Sequence, residues 1–196
     1  MKENNIRHLP IVDKRDRLAG LVTRETLLQA MPSSVTTLSI WEMNYALNKL
    51  KVRDVMVKDV ITVEEDVSIE KAARIMAENK IGCLPVMRGD PSTGSGQALV
   101  GIITDTDMLS TLMELMGARQ AGVRVTLQVP DAPGELAKVM VAIAQQGGDI
   151  AACGAYPAEE PLKANITLKV RHVPQDDLVA SLRALAGVEV LDVRAG

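Results

Sequence analysis

The apolar positions of this chain form short runs and helical repeats up to about residue 116, and the pattern changes after it. Short apolar runs predict strands at 9–12, 18–22, 81–86 and 99–103. Apolar residues three and four apart predict helices at 24–30, at 68–79 and from Asp105 onward. Two further short segments, 52–56 and 61–63, begin and end with apolar residues and precede the helix at 68–79. Short strands mixed with helices predict an α+β fold.

After a linker at 117–122, the pattern changes to the alternation of a half-buried strand at 123–129. A helix with one apolar face follows and ends at a pair of glycines, 147–148. The rest of the chain predicts strands at 150–156 and 165–170, a helix at 175–185 and a strand at 188–193. The order β-α-β-β-α-β predicts a ferredoxin-like domain, an antiparallel sheet backed by two helices.

A connector at 33–50 separates two parts of the first region and has its own helical signal. Ser39 followed by Glu42 three residues later is a capping box, which predicts a helix to about Lys49. Trp41 and Tyr45 lie on this helix, and we interpret them as packing anchors, with a base-stacking platform as the alternative. The apolar face of the helix comprises Ile40, Met43, Ala46, Leu47 and Leu50.

The chain contains an internal repeat made of two matched blocks. IRHLPIVD at 6–13 matches IGCLPVMR at 81–88, and GLVTRETLL at 20–28 matches GIITDTDML at 101–109. The blocks keep the same order, and the second copy has a longer loop between them at 89–97. Such self-similarity indicates two copies of one structural unit.

Thr104 and Asp107 lie where the strand at 99–103 runs into a helix. A helix start has unpaired backbone N–H groups that suit an anion such as phosphate. The Thr104 hydroxyl would bond that anion, and the Asp107 carboxylate would accept hydrogen bonds from a ribose diol. The alternative is that Thr104 only caps the helix.

The strand carrying Leu-Pro and the turn Gly–apolar–apolar–Thr–x–x–Asp resemble the cystathionine-β-synthase-type (CBS) domain. The resemblance implies a tandem pair of β-α-β-β-α units, a Bateman module, that binds adenine nucleotides in clefts between the repeats. AMP, ADP, ATP or S-adenosylmethionine is then the expected regulatory ligand, with no other cofactor. Thr104 matches the phosphate-side contact of the family and Asp107 the ribose-side contact. The remaining implied wall positions are Thr62, Gly82, Cys83, Leu84, Pro85 and Ile103.

The first repeat departs from this motif, so its own site is expected to be degenerate. It keeps Thr23 but has Thr26 where the carboxylate belongs, and it has His8 at the position of Cys83. The alignment of the two repeats also places the opening strand of the first one before residue 1. The alternatives are a misassigned start, a fragment, or a missing part supplied by another chain, and a truncated start is the favoured one. We therefore expect a truncated first repeat at 1–31, a connector at 32–51 and a complete second repeat at 52–116.

Residues 123–196, which follow the linker, resemble an ACT domain, a small regulatory module that often binds amino acids at dimer interfaces. The sequences VPDAPGEL at 129–136 and GGDI at 147–150 carry the resemblance. The implied ligand contacts are Asp131, Ala132, Pro133, Gly134 and Asp149. Ligand-binding members commonly have asparagine at the last of these positions, and an aspartate there would repel an amino-acid carboxylate.

The order CBS–CBS–ACT, with the connector between the repeats, resembles the AcuB-like acetoin-utilisation family. The resemblance implies a regulatory protein linked to carbon metabolism, a homodimer formed through the CBS and ACT domains, and a regulated enzyme as partner. The alternative is a structural oligomerisation or docking subunit with empty clefts.

Composition excludes several other classes. The net charge of −3 without a basic cluster argues against nucleic acid as a partner. No apolar run approaches the 18 residues of a membrane span, and the start lacks a signal core, so a cytoplasmic location is expected. The two cysteines, Cys83 and Cys153, do not make a disulfide framework.

The candidate nucleophiles and bases do not predict an enzyme. His8 and Cys83 occupy equivalent positions of the two repeats, and His172 has no spaced partner. No spacing of ligands predicts a metal site. Redox sensing by Cys83 near a nucleotide cleft is a minor alternative.

Overall fold

The computed structural model describes residue 1 and residues 3–31, 39–89 and 97–195. It divides into two compact units, Met1–Met108 and Leu109–Gly196. The strands are His8–Val12 (β1), Leu18–Thr23 (β2), Val63–Glu64 (β3), Cys83–Arg88 (β4), Ala98–Thr104 (β5), Val123–Pro130 (β6), Asp149–Pro157 (β7), Lys163–Arg171 (β8) and Glu189–Ala195 (β9). The helices are Arg24–Gln29 (α1), Ile40–Lys49 (α2), Val52–Val55 (α3), Ile69–Asn79 (α4), Asp105–Leu115 (α5), Glu135–Gln145 (α6) and Gln175–Arg183 (α7).

The first repeat forms an antiparallel hairpin, β1–β2, followed directly by α1. Thr23 ends β2 and caps α1, because its hydroxyl accepts a hydrogen bond from the backbone N–H of Thr26. The Thr26 hydroxyl accepts in turn from the backbone N–H of Thr23, at 3.0 Å. The backbone N–H groups of Thr23 and Thr26 at the helix start thus have hydrogen-bond acceptors within the same turn.

The second repeat has the order β3-α4-β4-β5-α5 and a core of its own. Strand β3 pairs with β4 in parallel, and β4 pairs with β5 antiparallel. Ser68 caps α4, whose buried residues Ala72 and Met76 belong to one apolar cluster with Val63 and Leu84. The predicted helix at 68–79 and the strands at 81–86 and 99–103 are thereby confirmed within two residues at each end.

The segment before α4 is less regular than its apolar runs suggest. The run at 52–56 forms the one-turn helix α3, and the Asp54 carboxylate accepts a hydrogen bond from the Lys51 backbone N–H at 3.0 Å. The run at 61–63 contributes only its last residue to β3. Polar residues at 53–54 favour a capped helical turn over a strand here, since they satisfy the backbone locally.

The connector helix α2 has the predicted capping box. The Ser39 backbone N–H donates to the Glu42 carboxylate at 2.8 Å, and the Glu42 N–H donates to the Ser39 hydroxyl at 3.3 Å. The interpretation of Trp41 and Tyr45 as packing anchors is wrong within this chain, because their side chains are 85% and 64% exposed. Residues 32–38 of the predicted connector lie outside the described residues.

The second unit contains a four-stranded antiparallel sheet in the order β7-β8-β6-β9, with α6 following β6 and α7 following β8. Alternate residues of β6 point into one apolar core, as the sequence pattern predicts. Val125 and Leu127 of the sheet and Ile143 and Leu178 of the helices are completely buried there. This burial of apolar surface is the main stabilising contribution to the unit.

Over the described residues, no helix has both the length and the apolar composition that crossing a membrane requires.

The two repeats differ in burial at equivalent leucines, which gives a prediction about stability. Leu84 is 0% exposed beneath α4, whereas Leu9 is 46% exposed in β1. Leu84→Ala is expected to lower the free energy of unfolding by about 2–5 kcal/mol, because it leaves a cavity in a closed core. Leu9→Ala is the matched control and is expected to cost about 1 kcal/mol or less. Urea denaturation followed by circular dichroism measures both, and equal losses would contradict the difference in packing.

Candidate functional site

A cavity of about 510 Å³ lies in the first unit and is lined by residues of both repeats. The first repeat contributes Arg7 and His8 at the start of β1, and Thr23 at the end of β2. The second repeat contributes Gly82 and Cys83 at the start of β4. Pockets of this volume accommodate ligands of nucleotide size.

The same backbone hydrogen bond builds the wall in each repeat. The N–H of Arg24, the first residue of α1, donates to the carbonyl of Arg7 at 2.9 Å. The N–H of Asp105, the first residue of α5, donates to the carbonyl of Gly82 at 3.0 Å. These bonds hold each helix start beside the start of the first strand of its hairpin, β1 or β4, so the equivalent ends of the two repeats meet at one cavity.

An ion pair across the cavity joins the two repeats. The Arg7 guanidinium donates to the Asp105 carboxylate at 2.8 Å and to the Thr106 hydroxyl at 3.0 Å. Both charged side chains are about half exposed, so the pair contributes at most about 1 kcal/mol to stability. Its importance is that it places a guanidinium at the cavity wall.

The cavity is otherwise part apolar and part charged. Leu21, Leu28, Val57, Val60 and Ile61 provide apolar surface, and the further charged residues are Arg24, Glu25, Asp59 and Lys80. A wall of this kind suits a ligand with a flat apolar part and a charged part.

His8 and Cys83 are held in their neutral forms at this wall. Burial and the neighbouring Arg7 charge lower the pKa of His8, and Asp105 partly opposes this effect. Burial and the Asp105 charge raise the pKa of the Cys83 thiol to about 11. A protonated, buried thiol reacts slowly, which argues against redox sensing by Cys83. Cys153 is also a free cysteine, and burial raises the pKa of its thiol.

Thr104 and Asp107 form a capping box at the start of α5. The Thr104 backbone N–H and hydroxyl both donate to the Asp107 carboxylate, at 2.8 and 2.7 Å. The Asp107 N–H donates to the Thr104 hydroxyl at 3.4 Å. Neither residue is in the cavity lining, although Asp105 between them is. The capping alternative is therefore realised, and the carboxylate already has a structural role.

The other predicted residues of the first unit divide into lining and supporting positions. Gly82 and Cys83 line the same cavity as His8 and Thr23, which the sequence treats as a separate degenerate site. Leu84 and Pro85 are buried, while Thr62 and Ile103 are half-buried. The Thr26 hydroxyl donates to the Thr23 carbonyl at 2.9 Å.

Sequence reasoning missed the charged residues of the wall. Four of these charged residues lie in or next to a repeat block of the sequence: Arg7, Arg24, Lys80 and Asp105. The equivalent positions of the two repeats do not have the same charge, so the repeat did not identify these residues. The signal that identifies two of them is position, because Arg24 and Asp105 both follow the motif threonine.

The predicted ligand turn of the second unit is exposed. Residues 131–134 connect β6 to α6, and Gly134 has a φ of 92°, a conformation that favours glycine. Asp149 forms an ion pair with Arg171. This pairing offsets the negative charge that the sequence suggests would repel a carboxylate ligand.

Among the residues that the structure describes, no three histidine, cysteine, aspartate or glutamate side chains are grouped to hold a metal ion.

Comparison with known proteins identifies the first unit. The family model of the CBS domain matches residues 1–33 and 52–114. A proposed acetoin utilization protein (AcuB) from Vibrio cholerae is 34% identical, over 61% of this chain and 76% of that chain, with a TM-score of 0.46. The crystal structure of CBSX2 in complex with AMP is 28% identical, over 58% of this chain and 78% of that chain, with a TM-score of 0.45.

Among curated proteins, the homoserine O-acetyltransferase of Methanobrevibacter ruminantium is 35% identical over 115 residues, which are 58% of this chain and 19% of the enzyme. The chain spans 19% to 37% of the length of the first three curated relatives that it matches. The shared part is thus a module of longer proteins. Residues 1–33 and 52–114 are a pair of CBS domains, and the chain belongs to the family of CBS-domain proteins.

Proposed function

We propose that this chain is a regulatory protein that binds an adenine nucleotide in the cavity between its two CBS domains. The observation that carries the proposal is the cavity itself, which joins the equivalent ends of both repeats and has a volume of about 510 Å³. The AMP complex of a related CBS-domain protein supports the choice of ligand. The chemistry of the wall supports it further.

In this proposal the base packs on the apolar part of the wall and the phosphate faces its cations. Leu21 and Ile61 offer apolar surface, while Arg24 and Lys80 offer positive charge. Arg7 could bind the phosphate if its guanidinium releases the Asp105 carboxylate. Asp107 lies two residues beyond the lining residue Asp105 and is proposed to accept from the ribose, with Thr104 at its side.

Regulation requires that the nucleotide bind one conformation of the protein more tightly than another. The Arg7–Asp105 contact is proposed to differ between the two conformations, because a phosphate would compete with the aspartate for the same guanidinium. CBS-domain pairs are typically regulatory rather than catalytic, and no catalytic role is proposed here.

The second unit is proposed to be an ACT-type domain that takes part in dimerisation and binds an amino acid near its turn. Support comes from the element order β-α-β-β-α-β, the exposed turn at 131–134 and the ion pair that neutralises Asp149. The likeness to a proposed acetoin utilization protein supports a link to acetoin metabolism. A cytoplasmic location and a regulated enzyme of carbon metabolism as partner are parts of the same proposal.

One observation favours a second candidate function, a docking subunit that binds no nucleotide. The Arg7–Asp105 pair already satisfies two charges at the wall without a ligand. In that case the CBS pair serves as a scaffold, and titration separates the two functions.

Titration calorimetry with AMP, ADP, ATP and S-adenosylmethionine tests the proposal. Wild-type protein is expected to bind at least one of them at one site per chain. Asp107→Ala is expected to weaken binding about 30- to 150-fold, because charge-assisted hydrogen bonds worth about 2–3 kcal/mol are lost.

The matched control for this variant separates binding from helix capping. Asp107→Asn keeps an oxygen that accepts from the Thr104 N–H, so it should retain the melting temperature better than Asp107→Ala. An Asp107→Ala protein that stays folded and binds like wild type would contradict the ribose assignment. No binding of any of the four compounds would favour the docking subunit.

The neutral state of His8 gives a prediction about pH. The pKa of His8 is lower in the folded protein than its ordinary value of 6.5, so the unfolded chain takes up the proton first. The stability contributed by the neutral imidazole is present above pH 6.5 and is lost as the pH falls through the folded pKa. Wild-type protein should therefore lose more free energy of unfolding than His8→Gln between pH 8 and pH 5. Parallel losses in urea denaturation at each pH would contradict the role of His8.

A further inference from the structure

The connector helix α2 carries an aromatic surface that nothing in the described part of the chain covers. Trp41 is 85% exposed and Tyr45, one turn later, is 64% exposed. Residues four apart lie on the same face of a helix, so the two rings form one continuous patch. Buried aromatic side chains each remove about 150–250 Å² from water, and leaving both in solvent forgoes that contribution.

We infer that this face of α2, defined by Trp41, Glu42, Asn44, Tyr45 and Asn48, is an interface that binds the same face of a second copy of the chain. These five residues also line a shallow groove of about 660 Å³. Trp41 and Tyr45 project from the helix and form two of the walls of this groove. A surface that offers both a projection and a groove can be complementary to itself, which a twofold symmetric contact requires.

The charges of α2 favour an antiparallel arrangement of the two copies. Glu42 lies in the first turn and Lys49 in the last turn. When two such helices run in opposite directions about an axis near Tyr45, the amino-terminal turn of one copy lies beside the carboxy-terminal turn of the other. Glu42 and Trp41 of one copy then approach Asn48 and Lys49 of the second copy, which pairs opposite charges.

Lys49 contributes to the face in a second way. Its ammonium group lies 4.3 Å from the centre of the Tyr45 ring, so the cation is held over the aromatic patch. A tryptophan ring is the strongest aromatic acceptor for a cation, and Trp41 of the second copy would approach this position. The same face of α2 in each copy thus forms both sides of the contact, and no other partner is needed.

The size of the face sets the expected strength of the dimer. The four rings of two copies bury about 600–1,000 Å² together. This is below the area of a standard interface, so the dissociation constant is expected in the micromolar range.

The chain contains a single tryptophan, Trp41, which reports directly on this interface. The full chain is studied by sedimentation velocity and tryptophan fluorescence from about 0.1 to about 100 µM, a range that brackets the expected affinity. Dimer formation should shift the emission of Trp41 to shorter wavelength over the same concentrations. Tyr45→Ser and Lys49→Glu should each raise the dissociation constant at least about tenfold while far-UV circular dichroism stays unchanged.

Two variants serve as matched controls. Tyr156→Ser removes a ring that is also exposed, in β7 of the second unit, and Lys14→Glu reverses an exposed charge in the β1–β2 turn. Both should leave the dissociation constant unchanged. The inference is overturned by a monomer across the whole range, by a Trp41 emission that does not shift with concentration, or by a shift of that emission that Tyr45→Ser leaves unchanged, and these readings at Trp41 separate this face from any dimer contact of the second unit.

Discussion

One backbone hydrogen bond, made twice, is the constraint on which the site depends. In each repeat, the backbone N–H of the first helical residue donates to the carbonyl of the residue just before the first strand of the hairpin. Arg24 donates to Arg7 in this way, and Asp105 donates to Gly82. Because the hairpin fixes this distance, the helix start cannot move away from the strand start. The bond places Asp105 at the wall, where it forms the ion pair that crosses from one repeat to the other.

The two repeats share this geometry but not its support. In the second repeat α4 covers the sheet, and Leu84 is fully buried in a core with Met76. In the first repeat the structure describes two strands and one helix, and Leu9 is half exposed. The second repeat therefore supplies most of the rigidity near the cavity, while the first supplies Arg7 and His8 to its wall. A ligand held there would contact both a well-packed surface and a weakly packed one.

Local signals in the sequence predicted most of the helices and strands, whereas contacts between residues far apart in the sequence were not predicted. Ser39 and Glu42 predict the start of α2 because a capping box involves residues three apart. Arg7 and Asp105 meet across 98 residues of sequence, and no local pattern relates a guanidinium to that carboxylate. The exposure of Trp41 also escaped prediction, because burial depends on what packs against a helix rather than on the residue itself. The sequence repeat predicted a cavity between the two repeats, but it did not predict the charged residues of the cavity wall.

The capping role of position 107, together with the ribose contact proposed for it, bears on how such repeats evolve. Asp107 caps α5 through Thr104, and Thr26 caps α1 through Thr23 with the same bonds. Selection for folding alone is met by either residue, whereas only the carboxylate offers an anionic acceptor. A duplicated repeat can thus drift from ligand contact to scaffold through one substitution, with no loss of its helix. The two repeats of this chain differ by such a substitution, because Thr26 stands where the second repeat has Asp107.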